Sequence, residues 1–592
     1  MNSPRIHEKA LSNIRKISAG FADRMEWISG WEHDFVCDRC SARLRFVPDP
    51  SECESNAFVC ENCGAVFSGE TYQAAWVYLY RRWIASGLLG AALCRNEPEA
   101  AALVRRCLLF YAERYDKFPL HGEHAGQGRI MAQSLDEAVF GIHLLRAVDE
   151  CRECFDESEL QLLRDRLFLP MAELLLPQAQ RIHNISVWCM CCVGMTGRVF
   201  GEETLVREAE EGTFGLRRQL NEGLTEDWLW REGSLHYHYY VLRALTAYCA
   251  VLKKKEPKHP LLLLLARMYV SPARLSCDGW TITSLNDGWY PLTLETYGSE
   301  IVQAAQLTGD ETLKRQAERI LAHAPGIAEE PAVAMLDAPT QNRGELCFDG
   351  HVAVLRDPFF MTLKSGSAVD THAHRDLLSV TIAGLSEDLG TPGYASPLIK
   401  RWYRSSLSHN GFAIDGNLKG EFSRNAACLT DDGAEAMADG TCCGEEIHAS
   451  RALCCEKGLI RDRMSVKLES VHVIDWIFHA EGRLDCRVKQ TPASLGEKGA
   501  FRLFEDVRKA DCKEIFEAKI TDNNGCAWHL QLRVPPGMSI FIARTPSNPA
   551  DRKRNTVLCR VTGPEACFEA AYSRESPVRK SGMLGRLLGR KD

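Results

Sequence analysis

Two histidines and an aspartate alternate along the chain in a pattern that could bind a metal ion. His372, His374 and Asp376 occupy positions i, i+2 and i+4, and in an extended strand such residues point to the same side. His409 lies downstream, just before a strand-like run at 412–414, and a sheet could bring it back beside His374. The spacing predicts a metal with a catalytic histidine next to it. The simpler alternative is a surface pair of histidines.

Four cysteines near the start of the sequence have the spacing of a structural zinc site. Cys37 and Cys40 form one C-x2-C pair, and Cys60 and Cys63 form a second pair after nineteen residues. Two such knuckles supply the four thiolates that tetrahedral Zn²⁺ requires, and a closed four-cysteine site has no open position for catalysis. The sequence therefore predicts a stabilising zinc ribbon. The alternative is that both pairs are reduced and buried without a metal.

Three polar and aromatic clusters interrupt the helical pattern of the first half. Residues 181–188 (RIHNISVW) contain a His-Asn pair that could simply cap a helix. Residues 227–240 (DWLWREGSLHYHYY) mix aromatic rings with His, Arg and Glu, which suits a sugar-binding cleft, although Tyr237 could also be a core tyrosine. Residues 284–290 (SLNDGWY) could line the same cleft, or could be only a good turn.

Taken in order, these motifs resemble the heparinase II/III-like polysaccharide lyases, which include alginate and oligoalginate lyases. Members carry H-x-H-x-D, a P-G-Y turn, W-Y-R-[ST], and S-H-N before a V-D-G-like strand. The matching segments here are 372–376, 391–394, 402–405 and 408–416. The E-G-S-x-x-Y motif of the family also fits 232–237. Several motifs in the same order are much more specific than any one of them.

The resemblance implies roles for individual residues. Tyr237 would be the catalytic tyrosine, and His372 would share the acid/base work. A histidine or asparagine of the helical half would neutralise the substrate carboxylate; members carry Asn-His, whereas this chain has His183-Asn184. Which of the two makes the contact therefore stays open. The residues expected to bind substrate are Trp188, Arg231, Glu232, His236, Asn286, Trp402 and Arg404.

The resemblance also implies a second divalent metal, most naturally zinc. His374 and His409 fit two of its ligands. The third ligand is usually an aspartate in a turn, where this chain has Thr391, and Asp388 could substitute. The alternative is that this site is weak or empty.

The implied reaction is β-elimination on a uronic-acid-containing glycan. The C5 carboxylate must be neutralised, a base must remove the C5 proton, and an acid must protonate the departing O4. Tyr237 would deprotonate C5 or donate to O4. A tyrosine base needs its pKa, normally about 10, lowered by nearby positive charge, which Arg231, His183 and His236 could supply.

Two other functions fit parts of the sequence. One is a glycoside hydrolase on an (α/α) toroid that uses two carboxylates, such as Asp227 or Glu232 with Asp287. The other is a non-catalytic carbohydrate-binding relative. A lyase creates a C4–C5 double bond that absorbs in the ultraviolet, whereas a hydrolase does not, so the product distinguishes the first alternative.

The periodicity of apolar residues predicts an α+β multidomain protein. Stripes at i, i+3 and i+7 recur between 72 and 321, as helical hairpins of an (α/α) toroid would show. Near residue 340 the period changes to two, which predicts an antiparallel β-sandwich. The predicted domains are a segment with a zinc ribbon (1–70), a toroid (71–335), a β-sandwich (336–578) and a basic tail (579–592).

Bulk composition restricts the partners. A net charge of −8 over 592 residues argues against a nucleic-acid binder, so an acidic oligo- or polysaccharide would need local positive charge. There is no apolar run long enough for a membrane span. The 25 cysteines without an apolar export signal predict a cytoplasmic protein, which could finish imported oligosaccharides exolytically. An oligomer is compatible with the sequence.

Overall fold

The computed structural model describes residues 4–40, 42–122, 126–276, 278–323, 343–367, 371–522 and 525–575. The chain divides into two compact units that interleave along the sequence. The first unit consists of Met1–Thr340, Ala368–Ala373 and Gly390–Ile399. The second consists of Gln341–Ser367, His374–Leu389 and Lys400–Asp592.

The described part of the first unit is mainly helical, with two short antiparallel hairpins. Its helices are α1 (Pro4–Gly20), α2 (Pro50–Ser55), α3 (Glu70–Leu93), α4 (Pro98–Ala112), α5 (Ser134–Glu150), α6 (Glu157–Leu163), α7 (Leu169–Leu175), α8 (Asn184–Phe200), α9 (Glu203–Glu211), α10 (Leu216–Gly223), α11 (Leu235–Lys255), α12 (Pro260–Val270), α13 (Gly298–Thr308) and α14 (Glu311–His323). The hairpin strands are β1 (Phe58–Val59) with β2 (Val66–Phe67), and β3 (Thr281–Ile282) with β4 (Leu292–Thr293).

Helix α8 is the most deeply buried helix that carries predicted site residues. Every residue from Ser186 to Val199 is buried, as expected for a helix that is largely apolar all round. It ends at Gly201, which adopts a left-handed conformation with φ 81°. Gly194 allows close packing against α11, because a Cβ there would lie 2.8 Å from the ring of Tyr248.

The second unit contains two antiparallel sheets. The smaller sheet has the order β5 (Gly344–Cys347), β6 (Val352–Leu355), β7 (Met361–Lys364), β8 (Ser379–Ile382). The larger sheet is formed by β9 (Phe412–Ile414), β10 (Gly420–Leu429), β11 (Gly433–Cys442), β12 (Glu445–Glu456), β13 (Leu459–Ala480), β14 (Arg483–Asp485), β15 (Gln490–Pro492), β16 (Glu505–Ala510), β17 (Ile515–Thr521), β18 (Ala527–Arg533), β19 (Ser539–Pro546) and β20 (Lys553–Arg574).

The long strands β13 and β20 form the centre of the larger sheet, with a register shift between Lys467 and His472. The order along the main path is β10-β11-β12-β13-β20-β18-β17-β14. Buried residues alternate along β12, as they do when one face of a sheet is packed. The two sheets share one hydrophobic core, to which the smaller contributes Val380 and the larger contributes Trp476.

The predicted α+β multidomain organisation, with helices before antiparallel sheets, is confirmed. The predicted segment 1–70 is not a separate unit, because it belongs to the helical unit. The predicted boundary at 335/336 and the basic tail 579–592 lie outside the described residues. Among the helices that the structure describes, none is long and apolar enough to cross a membrane.

The predicted strand at 372–376 is wrong. Residues 371–378 form turns, β8 begins only at Ser379, and His372 has φ 63°, which breaks an extended run. His372 belongs to the first unit, whereas His374 and Asp376 belong to the second. Asp376 pairs with Lys364 there. The two imidazoles and the carboxylate therefore do not share one face.

Candidate active site and metal-binding groups

His372 lies at the centre of a hydrogen-bonded group in the first unit. Its Nδ1 is 2.9 Å from the hydroxyl of Tyr394 and 3.1 Å from Oδ2 of Asp287. Its Nε2 is 3.5 Å from Oε2 of Glu232. The imidazole stacks on the ring of Tyr237, with 3.4 Å between centroids. Both carboxylates are buried, whereas 14% of the His372 side chain stays exposed. His372 is thus a mostly buried imidazole with a carboxylate near each ring nitrogen.

Two tyrosines extend this group into a chain of hydroxyls. Tyr394 donates to Oδ2 of Asp287 at 2.8 Å, and its oxygen is 2.5 Å from the hydroxyl of Tyr237. A phenol has one hydrogen, so Tyr237 donates to Tyr394 in this arrangement. Burial raises the pKa of Tyr237, and the charges of Asp287 and Glu232 raise it further, while the contact with Tyr394 lowers it. Tyr237 is therefore held in its protonated form.

His183 and Asn184 begin helix α8 and contact the loop before α11. Nδ1 of His183 accepts from the backbone N–H of Ile185 at 3.2 Å, so its proton resides on Nε2, 3.9 Å from Oε1 of Glu232. The Asn184 backbone N–H and Nδ2 donate to the two oxygens of Glu232 at 3.1 and 2.9 Å. His183 is thus a helix cap whose Nε2–H points towards Glu232, and Asn184 is hydrogen-bonded to Glu232.

The loop of residues 284–290 fixes this geometry. Asn286 adopts φ 56° and its Nδ2 donates to the carbonyl of Gly233 at 2.8 Å. The backbone N–H of Asp287 donates to the carbonyl of His372 at 3.3 Å. These two bonds hold the loop against both the start of α11 and the segment that carries His372. Asn286 is buried, with an exposed fraction of 1%, and therefore positions the loop without facing solvent.

The four cysteines of the predicted ribbon lie together. Sγ of Cys37 is 3.5 Å from Sγ of Cys63, and Sγ of Cys40 is 3.5 Å from Sγ of Cys60. All four sulfur atoms lie within 4.8 Å of one another. Tetrahedral coordination at a Zn–S distance of about 2.3 Å places sulfurs roughly 3.8 Å apart, so the group has the dimensions of a zinc site. Cys53 lies outside the group.

The thiols of Cys40 and Cys37 have pKa values shifted in opposite directions. A hydrogen bond from the Asn62 side chain, followed by one from the backbone of Ala42, lowers the pKa of Cys40 to about 6. Burial raises the pKa of Cys37 to about 12. Cys40 is therefore ionised at neutral pH, and Cys37 would lose its proton on binding a metal.

A second group of possible ligands lies in the second unit. His374, Asp388 and His409 are buried, and their ligand atoms lie within 4.8 Å of one another. Nε2 of His409 donates to the carbonyl of Tyr403 at 2.9 Å, which leaves Nδ1 as a lone pair, 3.3 Å from Oδ2 of Asp388. A carbonyl that accepts from the far nitrogen is the usual support of a metal-bound histidine.

Comparisons with known proteins cover part of this region of the chain. The alginate lyase family model matches residues 171–260, which contain His183, Asn184, Glu232 and Tyr237. An alginate lyase of Stenotrophomonas maltophilia is 26% identical over 273 residues, 43% of this chain and 35% of the relative. An exo-oligoalginate lyase of Saccharophagus degradans is 30% identical over 270 residues, 41% of this chain and 36% of the relative.

This chain is similar to alginate lyases over the region that contains His183, Asn184, Glu232 and Tyr237. The matched region spans little more than a third of either curated relative. Heparinase III has the same fold, with TM-score 0.60 at 13% identity over 84% of this chain and 76% of that one. Heparan sulfate lyase HepC from Pedobacter heparinus matches with TM-score 0.56 at 12% identity, over 96% of this chain and 88% of that one.

Two of the residues expected to bind substrate, Trp188 and Trp402, are buried, whereas the roles of Arg231 and Arg404 stay predictions. Trp188 has an exposed fraction of 1% and packs against Tyr240 at 5.0 Å, so it supports the aromatic cluster and cannot be a sugar platform. Trp402 is completely buried in the second unit, where Nε1 donates to the carbonyl of Pro546 at 3.1 Å. Arg404 also belongs to the second unit. Arg231 donates to the carbonyl of Glu222 at 3.1 Å.

The expected lowering of the Tyr237 pKa by nearby positive charge is wrong, because burial and the charges of Asp287 and Glu232 raise that pKa. Arg231 is engaged with a backbone carbonyl, and the two histidines are held neutral by burial. Burial lowers the pKa of His183 to about 4 and that of His236 to about 3. His236 does lie beside Tyr237, with 5.1 Å between ring centroids, and its Nδ1 is 3.0 Å from the hydroxyl of Tyr297.

Sequence reasoning missed the roles of two members of this site. Tyr394 was recognised only as part of a turn, and Asp287 only as a possible hydrolase carboxylate. Thr391 was considered as a metal ligand, but it belongs to the first unit, where its hydroxyl accepts from the N–H of Gly393. Asp388 instead lies close to His374 and His409. A hydroxyl or carboxylate that pairs across a hundred residues leaves no local signal.

Proposed function

We propose that this protein is a polysaccharide lyase that cleaves a uronic-acid-containing glycan by β-elimination and leaves an unsaturated uronate. The observation that carries the proposal is the hydrogen-bonded group of Tyr237, Tyr394 and His372 beside the His183–Asn184 pair. It brings a phenol, an imidazole and neutral donors to one place that stays partly open to solvent. The sequence relatives named as alginate and oligoalginate lyases support the same reaction class.

Each step of the elimination has a candidate group. The Nε2–H of His183 and the remaining Nδ2 hydrogen of Asn184 would donate to the uronate carboxylate and stabilise the enolate-like intermediate. His372 would take the C5 proton. Tyr237 would protonate O4 as the C4–O4 bond breaks and the C4–C5 double bond forms, since its raised pKa keeps its proton available. His372 would then carry the C5 proton as an imidazolium, and its Nδ1 would release a proton to Tyr394, which would pass its own proton to Tyr237.

The test is a panel of uronate oligosaccharides that includes alginate oligomers, scored by the ultraviolet absorbance of the new double bond. Tyr237→Phe and His372→Ala should each lose about 10²-fold or more in kcat. Reducing ends without the absorbance would mean a hydrolase. Saturable binding without any product, unchanged in Tyr237→Phe, would mean a carbohydrate-binding relative.

The carboxylates of the hydrolase alternative are engaged with other groups. Glu232 accepts two bonds from Asn184, and Asp287 accepts from Tyr394. Asp227 accepts from the hydroxyl of Thr225. None of the three has the partly solvated setting that a water-activating carboxylate needs, so the comparisons and the site both favour the lyase.

We also propose that the four cysteines hold a structural Zn²⁺ within a zinc ribbon, and that the helices of the first unit form an (α/α) toroid. The sulfur spacing and the ionised Cys40 support the zinc. When bound, the metal would add folding free energy and no catalysis, because four cysteines close its coordination sphere.

A second divalent metal, zinc by preference, is proposed for His374, Asp388 and His409. The two imidazoles and one carboxylate are a donor set suited to Zn²⁺, and the carbonyl of Tyr403 fixes the tautomer of His409. A second set of two histidines and one carboxylate consists of His183, Glu232 and His372. There the proton of His183 is on Nε2, which faces the carboxylate, so that group does not fit a metal.

The cellular setting is a proposal of the same kind. We propose a cytoplasmic enzyme that degrades imported acidic oligosaccharides from their ends. The cysteines that the structure describes are free thiols, which supports a reducing compartment. Cell fractionation and the size of early products would test the two parts separately.

A further inference from the structure

We propose that Trp31 and His33 form an additional saccharide subsite beside the catalytic tyrosines, on the turn that leads directly into the four-cysteine segment, residues 37–63. This proposal rests on the lyase function proposed above and extends it to where a second sugar of the substrate binds. Neither residue belongs to a motif that the sequence analysis recognised.

Tyr394 connects these two residues to the reacting groups. The ring of Trp31 is 6.1 Å from that of Tyr394, and the ring of His33 is 5.3 Å from it, in an edge-on contact. Trp31 and His33 also contact each other at 4.6 Å. The hydroxyl of the same Tyr394 is 2.5 Å from that of Tyr237. A sugar that places O4 against Tyr237 therefore has its neighbour next to Trp31 and His33.

The chemistry of the pair suits an acidic sugar. Trp31 and Tyr394 are both partly exposed, so an indole face and a phenol edge are available to the apolar face of a sugar ring. His33 is 15% exposed, and its Nε2 is 3.8 Å from Oε1 of Glu32. An imidazole N–H can donate to a hydroxyl or carboxylate oxygen of a uronate.

The turn that presents these rings is fixed at both ends. Gly30 lies directly against α3, where its N–H donates to the carbonyl of Ala74 at 2.8 Å and a Cβ would lie 2.8 Å from that of Ala74. At the other end Phe35 is buried against Phe58 of β1, with 5.2 Å between ring centroids. A short 3-10 turn, Glu32–Asp34, spans the interval.

Phe35 stands two residues before Cys37, so the knuckle continues directly from the presenting turn. Because this turn is rigid before a sugar binds, binding costs little additional ordering entropy. The geometry therefore gives the four-cysteine segment a role in substrate recognition as well as in stability.

The test separates binding from chemistry. An alginate trisaccharide is titrated calorimetrically into the Tyr237→Phe enzyme, which cannot turn it over, with and without Trp31→Ala or His33→Ala. We expect Trp31→Ala to weaken binding about tenfold and His33→Ala about threefold, as loss of one stacking or hydrogen-bonding contact does. In the otherwise native enzyme, KM should rise by the same factor while kcat stays within about threefold. Trp31→Phe should restore most of the affinity.

The matched control is Trp83→Ala, which removes another partly exposed tryptophan of the same unit, whose ring packs on Tyr80. It should leave trisaccharide binding unchanged. Unchanged binding in a folded Trp31→Ala enzyme overturns the subsite, and so does a loss confined to kcat, which would make Trp31 a support for Tyr394. A native enzyme that forms no unsaturated product from any uronate oligomer fails the proposed function itself.

Discussion

Replacing Tyr394 by Phe tests the hydroxyl chain on which the proposed chemistry depends. The change removes one oxygen and keeps the ring that packs beside His372. Three contacts of that oxygen disappear, to Tyr237 at 2.5 Å, to Asp287 at 2.8 Å and to His372 at 2.9 Å. Asp287 is completely buried, so it loses a donor that water cannot easily replace.

The magnitude follows from these contacts. A hydrogen bond to a charged group contributes about 1.5–3 kcal/mol, and a positioned acid or base contributes about 10²–10⁴-fold to a rate. We therefore expect kcat of Tyr394→Phe to fall about 10²-fold or more with KM changed less than about threefold. The free energy of unfolding should fall by about 1–3 kcal/mol.

The assay is the initial rate of ultraviolet absorbance on the best oligosaccharide, with stability measured by urea unfolding. The matched control is Tyr269→Phe, which removes a buried hydroxyl that pairs with Thr246 at 2.9 Å, away from the reacting groups. That variant should lose stability and keep kcat. Equal rates for Tyr394→Phe and the native enzyme would refute the proposed proton path.

Three further predictions concern stability and metals. Burial lowers the pKa of His238 to about 4, so the unfolded chain binds more protons between about pH 6.5 and 4, and the free energy of unfolding should fall by up to about 3 kcal/mol across that range; a flat urea-denaturation profile would contradict this. Cys60→Ser should lower bound zinc by about one ion per chain and lower Tm, whereas Cys53→Ala should keep the zinc, as measured by mass spectrometry. Asp388→Asn should remove the second metal in the same measurement while Thr391→Val retains it, and equal contents would contradict the assigned ligand.

The ordered motifs made the main residues of the site predictable. Tyr237 and His372 were named from short patterns, and they stack in the structure. The helical and sheet regions followed from a change of period in the apolar residues. The four cysteines needed only their spacing, since two knuckle turns are formed by local backbone hydrogen bonds.

The predictions that failed assumed that residues close together in the sequence point to the same place in the structure. The alternation of His372 and His374 predicted a common face, but His372 has φ 63°, which interrupts the extended backbone that this prediction requires. Arg231 precedes the E-G-S motif directly, yet it turns to the carbonyl of Glu222. The charge that shapes the pKa of Tyr237 comes from Asp287, fifty residues later in the chain. Such placements are decided by packing, for which no local pattern exists.

The interleaving of the two units restricts how this protein can be dissected or recombined. Segments 368–373 and 390–399 lie beyond residue 340 yet belong to the helical unit. A gene fragment that stops at residue 340 would encode the helices without His372 and Tyr394. A recombination with a single crossover therefore cannot exchange one whole unit and keep His372 and Tyr394 with the helices they pack on. An exchange that preserves the reacting groups must include both units.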